Sequence, residues 1–299
     1  MPLDASSRLH SITALYDARS NTYDENHVHV DQARDYLVWA GLRPGQNVLD
    51  LACGTGLVTL GAKSTVGDSG VVVGVDVSPG MLDEGRRKAD RAGLQVRFLE
   101  GDIQHVDEVL LVGASTTSTA NEVTPSNSFD VITCASALIL LDDPVDALRR
   151  WKPLLKRPGG KLVTDVQTRS ANLLMNVFRH VAGHLGTSVL WDGGAARYEA
   201  IEDLASVVRD AGYHVDRLFE TRAYATTTYK LDEAGEIFDR AVDEKEMFAQ
   251  FAGTEGGVRE RAKALFVQRM NDLSGGKDSL LEETRFWVVV ASVPDDTTT

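Results

Sequence analysis

The sequence predicts an α/β protein: a doubly wound sheet of seven strands, mostly parallel, with a helical cap inserted between the last two strands. Three observations predict it. From Val48 onward, short β-branched runs alternate with helical patterns. The first run, VLDL, passes into Ala52-Cys53-Gly54-Thr55-Gly56, with two glycines one residue apart where a buried strand should end. The next run ends on an acid, Asp76, 20 residues beyond Gly56. Strand, helix and strand at this spacing build right-handed crossovers, which make neighbouring strands parallel.

Taken in order, residues 1–46 read as an N-terminal helical lid segment, and 47–222 as the core. The core opens with the strand Val48–Leu51 and a helical pattern from Leu57 that ends near Gly67. Val71–Asp76 is the second strand. Ser78-Pro79 then starts a helix, a hydroxyl to cap it and a proline suited to its first turn, which carries Met81 and Leu82 and runs to Gly93. Gln95–Leu99 and Phe129–Thr133 are the third and fourth strands. Between them Gly113–Ser128 is rich in Ser, Thr and Asn and predicts a surface loop without order of its own. Loop closure entropy changes slowly with length, so shortening this loop is expected to be tolerated. Asp143-Pro144 opens a helix through Leu148, Trp151 and Leu155, and Lys161–Val166 is the fifth strand. A helix over Leu204–Gly212 and a strand over His214–Arg222 complete the core. Residues 223–281 form the cap, with helical patterns over Leu231–Phe251 and Val258–Leu273. In the second, Val258, Ala262, Leu265, Phe266, Met270 and Leu273 share one face. Residues 282–299 hold the last strand, Phe286–Val293, and a tail. The whole is a Rossmann-like arrangement whose cap is expected to enclose a pocket, with Phe251 and Phe266 facing into it.

Composition narrows the function. The chain has 299 residues, 43% hydrophobic and 25% charged, ordinary for a globular protein with a sizeable core. Its formal net charge of −13 repels phosphate backbones and anionic lipid surfaces. That argues against nucleic-acid partners. Two cysteines, Cys53 and Cys134, are too few for a disulfide framework. The N-terminus lacks the apolar stretch of a signal sequence, and no apolar run approaches 18 residues, so a cytoplasmic location without membrane insertion is expected.

In doubly wound sheets, ligands bind outside the carboxyl ends of the strands where strand order reverses. Gly54 and Gly56 stand at such an end, where a bare backbone lets a ligand pass close. Asp76, at the end of the second strand, is placed to accept hydrogen bonds from a ribose diol. The nicotinamide pattern asks for a further glycine three residues on, and this chain has Thr59 there. Asp50, four residues ahead of Gly54, suits an ammonium better than a pyrophosphate. S-adenosylmethionine has an amine, a ribose and a sulfonium centre, and meets both conditions.

VLDLACGTG, VVGVDVSPGML, FLEGDI, FDVITCASAL and LLKRPGGKLV, in this order and spacing, resemble the motifs of class I S-adenosylmethionine-dependent methyltransferases. The segment LYDARSNTYD adds a likeness to the ubiquinone/menaquinone-biosynthesis C-methyltransferase-like group of small-molecule enzymes, with Ser20 where alanine is usual. The likeness covers roughly Tyr16 to Val166. It implies that Gly54, Gly56 and their neighbours Cys53 and Thr55 approach the methionine and ribose portions, with Asp50 near the amine. It further implies Asp76 on the ribose hydroxyls, Val77 and Met81 on the adenine, and Asp102 on the adenine amine beside the Ile103 N–H. Cys134 is implied to line the channel where the methyl emerges, and Tyr16 and Tyr23 to close over the cofactor. A serine common after the fourth strand in the quinone enzymes is Ala135 here, a departure that counts against quinone-type chemistry.

No catalytic base is identified. His27, His29, His180 and His184 are candidates; His180 and His184, four apart, have neither an intervening Glu nor a third ligand, so no metal is expected. Trp191, Tyr198 and Tyr224 are candidates for an acceptor pocket. The predicted activity is methyl transfer from S-adenosylmethionine to an O, N, S or C nucleophile of a small molecule. The alternatives are an adenosylmethionine-binding enzyme of non-methylating chemistry and a nicotinamide-dependent oxidoreductase.

Overall fold

Val48–Leu51 forms β1, all four residues buried because the strand is covered on both faces, with Asp50 the one polar member. The computed structural model describes residues 5–115, 126–187, 189, 197–244, 246–253 and 257–294. Residues 116–125 of the Ser/Thr-rich loop, and Trp191, lie outside the described residues. Helices α1 (Ala5–Arg19) and α2 (His27–Ala40) precede β1. There follow α3 (Leu57–Val66), β2 (Val72–Asp76), α4 (Pro79–Ala92), β3 (Arg97–Glu100), α5 (Val106–Ser115), β4 (Val131–Cys134), α6 (Pro144–Trp151) and β5 (Lys161–Gln167). The chain continues through α7 (Leu173–His184), α8 (Ile201–Asp210), β6 (His214–Glu220), β7 (Ala225–Lys230), α9 (Ala234–Glu244), α10 (Val258–Ser274), β8 (Ser279–Thr284) and β9 (Phe286–Ser292).

The caps expected from sequence form. Ser78 accepts from the Met81 N–H and Asp143 from the Asp146 N–H, each with proline in the first turn behind it. The segment Leu231–Phe251 breaks into a 3-10 turn, α9 and a second 3-10 stretch rather than one helix.

Two compact units emerge: Met1–Val166 with Ile201–Glu220 and Trp287–Thr299, and Gln167–Ala200 with Thr221–Phe286. The first holds the seven-stranded sheet, in the order β3-β2-β1-β4-β5-β9-β6. Pairings β1–β2, β2–β3, β1–β4 and β4–β5 are parallel, and β6–β9 is antiparallel. The chain moves outward from β1 to β3, then restarts beside β1 at β4. The carboxyl ends of β1 and β4 therefore flank the point where strand order reverses.

The second unit packs α7, α9 and α10 around a phenylalanine cluster. Phe178 stacks on Phe248 at 3.8 Å between ring centroids, with Phe266 at 4.9 Å and Phe251 at 5.5 Å. Phe251 and Phe266 are 1% and 0% exposed. Contrary to the expectation from sequence, both are core residues: Ala262, Leu265, Phe266 and Met270 of the α10 stripe pack in the unit's own cluster, while Leu273 is exposed. Residues 167–200, read from sequence as core, join this unit because Val177, Phe178, Val181 and Ala182 of α7 pack in the same cluster. Arg259 pairs with Asp239 and Asp243, and Lys263 with Asp239, which ties α10 to α9. A two-stranded antiparallel sheet, β7–β8, was not expected; Thr226, Thr227 and Thr228 of β7 are exposed and give no alternation to read.

Phe266→Ala is expected to cost about 3–5 kcal/mol of stability, the range for emptying a buried phenylalanine site. Denaturant unfolding measures it, and a loss below about 1 kcal/mol would show that the cluster is not close-packed.

Candidate functional site

The crevice at the strand-order reversal holds two cavities, both built within the first unit. The larger encloses about 700 Å³ of empty space, part of it open to solvent. Its walls come from α1 (Leu9, Ile12, Tyr16), the turn after β1 (Ala52, Gly54) and the end of β2 (Asp76, Val77, Met81). Asp102, Ile103 and Gln104 after β3, and Ala135–Ala137, Leu140 and Leu141 after β4, complete it. The smaller cavity, about 430 Å³, is lined by His29 and Gln32 of α2, by Asp50, Cys53 and Thr55, and by Leu57 and Val58 of α3. Tyr23, Ala52, Gly54, Ala135 and Ser136 line both, so the two are lobes of one site.

The two glycines have different reasons. At Gly54 φ is +53°, and a Cβ would meet nothing within 4 Å. Open space beside a bare backbone at the cavity wall is room for a ligand. At Gly56 φ is +81°, and a Cβ would press on the Phe98 ring at 3.1 Å. Gly56 lines neither cavity; its place is fixed by the turn and by core packing, which corrects the expectation that it approaches a ligand. Ala52 and Ser136 also adopt positive φ, +52° and +56°, conformations costly for side-chain-bearing residues and common beside sites.

Acids gather at this crevice. Asp76 accepts from the Gly54 N–H at 2.8 Å and from the Ser78 N–H at 2.9 Å, one per carboxylate oxygen. Burial raises its pKa, opposed by these hydrogen bonds. Asp50 accepts from Thr59 at 2.5 Å and Thr133 at 2.7 Å, and burial pushes its pKa up to about 6. Asp102 accepts from the Gln104 N–H at 2.9 Å, and Trp151 holds the next carbonyl, Ile103 O, at 2.7 Å.

The N-terminal helices are fastened over the crevice by polar contacts. Asp17 accepts from Ser78 at 2.5 Å and from the Gly80 N–H at 2.9 Å. Asp24 takes the Thr55 hydroxyl at 2.5 Å and pairs with Lys88 at 2.6 Å. Arg8 reaches Asp142 and the Leu140 carbonyl. So placed, Tyr23 stacks on His29 with ring centroids 4.2 Å apart and meets Tyr16 edge-on.

A family model described as a methyltransferase domain matches residues 42–211. The ubiquinone/menaquinone biosynthesis C-methyltransferase UbiE of Shewanella frigidimarina is 33% identical over 217 residues, 68% of this chain and 80% of that one. The chain is a class I S-adenosylmethionine-dependent methyltransferase. Solved structures of similar fold include the YcgJ protein of Bacillus subtilis, with TM-score 0.51, 16% identity, and coverage of 90% of this chain and 100% of that one. The [4+2]-cyclase SpnF has TM-score 0.50, 18% identity, and coverage of 89% and 81%.

The methyltransferase's cofactor is S-adenosylmethionine, and the site fits it. The space beside Gly54 admits a ligand backbone, and among the described residues no lysine or arginine lines either lobe to oppose a cation. Of the residues expected from sequence, Tyr16, Tyr23, Asp50, Cys53, Gly54, Thr55, Asp76, Val77, Met81, Asp102 and Ile103 line the two lobes. Cys134 does not. It is 0% exposed with its thiol pKa raised by burial, and the wall is made by Ala135 and Ser136 after it.

Of the candidate bases, His29 lines the smaller lobe, and burial lowers its pKa to about 4. His27 is exposed on α2. His180 and His184 lie on α7 in the second unit, where the His184 Nδ1 is 2.9 Å from the His180 carbonyl. Tyr198 and Tyr224 are buried, the latter edge-on to Phe286. No metal-binding cluster occurs among the described residues. Sequence reasoning missed Gln32, Ser136 and the apolar wall of Leu9, Ile12, Leu140 and Leu141. It also missed Asp165, whose only signal is an acid among the apolar residues of a strand.

Asp76→Ala is expected to weaken adenosylmethionine binding about 10- to 100-fold with the fold retained, since hydrogen bonds to a charged acceptor are worth roughly 1.5–3 kcal/mol. Calorimetry checks this, and an unchanged affinity removes Asp76 from the site. Gly54→Val and Gly56→Val should both lose melting temperature, since each puts a β-branched residue at positive φ, but only Gly54→Val, in folded protein, should also lose cofactor affinity.

Proposed function

We propose that this methyltransferase transfers the methyl group of adenosylmethionine to an O, N, S or C nucleophile of a small, partly apolar molecule. The observation that carries the reading is the side of the larger lobe formed by Leu9, Ile12, Leu140 and Leu141, which meets the turn Ala135–Ala137 at the mouth of the cofactor crevice. A wall of this kind gains from covering apolar surface, at about 25 cal/mol per Å². It offers an ionic acceptor nothing. The UbiE relative is, by its printed name, a C-methyltransferase of quinone biosynthesis, so activated ring carbons belong in the first acceptor panel.

In this reading Asp76 takes the ribose hydroxyls, because each of its oxygens has accepted one N–H and keeps a lone-pair direction free. Val77 and Met81 flank the adenine, Asp102 and the Ile103 N–H read its edge, and Gly54 lets the chain of the cofactor pass. Asp50 places negative charge near the amine. Tyr16 and Tyr23 exclude water from above. Bound adenosylmethionine supplies an electrophilic methyl, open to in-line attack by the acceptor. The protein's contribution is then alignment, where effective molarities reach about 10⁵ M or more. His29, with a pKa of about 4, accepts a hydrogen bond but takes up a proton poorly at neutral pH. The acceptor is therefore one that attacks without a strong protein base.

Incubation with methyl-tritiated adenosylmethionine and a panel of phenols, hydroxylated aromatic rings, amines and thiols tests this. Label should pass to neutral, partly apolar members. Transfer confined to anionic acceptors, or to protein or nucleic acid, would overturn it. For the acceptor so found, Leu140→Ala should raise KM about tenfold or more while the cofactor's Kd stays within about threefold, because independent sites behave additively.

A further inference from the structure

Asp165 has no role in that reading, yet it is 0% exposed and directly behind the cavity wall. One carboxylate oxygen accepts the Ser136 N–H at 2.7 Å, and the other accepts from the Gln32 side-chain amide. Gln32 also contacts the Ser136 hydroxyl at 3.0 Å. Strand β5, helix α2 and the turn after β4 thus meet in one closed network, which holds Ser136 at its positive φ where it lines both lobes. Asp50 is buried nearby on β1, hydrogen-bonded only to threonines. Among the described residues, no ion pair involves Asp50, Asp76 or Asp165. A buried carboxylate without a cation is costly when ionised. Burial accordingly raises the pKa of Asp165 to about 7, against the hydrogen bonds that favour its charge.

Adenosylmethionine carries an ammonium and a sulfonium; its product, S-adenosylhomocysteine, keeps only the ammonium. We propose that Asp165, held one side chain behind the cavity wall by Ser136 and Gln32, is a specificity-determining residue whose counter-charge is the bound cofactor, so that the site favours the sulfonium substrate over its neutral-sulfur product. The inference rests on the assignment of these lobes to the cofactor. It makes cofactor binding proton-linked: a cation beside the network favours ionised Asp165, so a proton leaves as adenosylmethionine enters.

The groups facing Asp165 leave the pH window to it. Tyr36 of α2 and Cys134 of β4 are raised by burial and stay neutral from pH 6 to 8, and His29 is neutral there as well. Asp50, at about 6, is half-ionised at the lower edge of the window. In that reading it lies near the ammonium that both ligands carry, so its titration cancels in their ratio. Asp76, also raised, keeps two N–H bonds that favour its charge. The stability sign follows from a folded pKa near 7, above the unfolded value. The contribution of Asp165 to stability is complete below the unfolded pKa and is lost as pH rises through about 7.

Calorimetry of adenosylmethionine and S-adenosylhomocysteine binding at pH 6 and 8, in buffers of different ionisation heat, tests the proposal. In the wild type the ratio of product Kd to substrate Kd should rise about tenfold between pH 6 and 8, the effect of a one-unit displacement, with proton release on binding adenosylmethionine at pH 7. Asp165→Asn, whose amide can pair with a turned Gln32 amide, should bind both ligands with a flat ratio. The advantage of the ligand-free variant over wild type in melting temperature should grow from pH 5 to pH 8, whereas loss of a purely structural group lowers melting at both. Ser136→Ala keeps the carboxylate and should keep the wild-type slope. A wild-type ratio that ignores pH, or an Asp165→Asn variant with the wild-type slope, overturns the proposal. Binding of neither ligand by the wild type would overturn the cofactor assignment itself, and the proposal with it.

Discussion

The hydrogen bond from the Gly54 amide to the Asp76 carboxylate joins the turn after β1 to the end of β2. The rest of the site depends on that join. Gly54 can present its N–H there only because its φ is +53°. Asp76 can receive it only because the parallel β1–β2 register, with Leu51 opposite Val75, brings both strands to their carboxyl ends together. The crevice that results has a bare backbone on one side and a half-satisfied carboxylate on the other, a surface shaped for a ligand with a sugar.

Charge follows from position. A crevice at the carboxyl ends of buried strands is walled by residues that have lost most of their water, and this chain puts acids in it with no lysine or arginine among the described lining residues. Asp50 and Asp165 are held by neutral donors alone. Such a site is poorly balanced without a ligand and better balanced with a cation, which fits a sulfonium cofactor and disfavours a pyrophosphate. The N-terminal segment completes the enclosure through Asp17, Asp24 and Arg8, whose partners Ser78, Thr55 and Asp142 follow β2, β1 and β4. Each contact is partly exposed and individually weak. Together they set where Tyr16 and Tyr23 stand.

The second unit shows how a helical stripe should be read. Phe251 and Phe266 satisfy the pattern of a pocket wall as well as that of a core, since both require an apolar face. The partner decides between them, and here it is Phe178, from a segment more than 70 residues away in sequence. Periodicity reports that a face is covered. It does not report by what.

What the sequence determined by itself is local. The caps at Ser78-Pro79 and Asp143-Pro144, the glycine turn and the acid at the end of β2 each arise from interactions within a few residues, so residue types alone carry them. The parallel sheet was equally legible, because βαβ spacing leaves one handedness of crossover. Tertiary structure decided the rest. Gln32 and Asp165 are 133 residues apart, and Ser136 and Asp165 are 29 apart; their meeting depends on which strands pair and how α2 lies across them. The same holds for Gly56, whose neighbour Phe98 comes from another strand, and for Cys134, which strand burial turns away from the crevice. A residue's chemistry can be read from its type, but its partner at long range is set only when the chain packs.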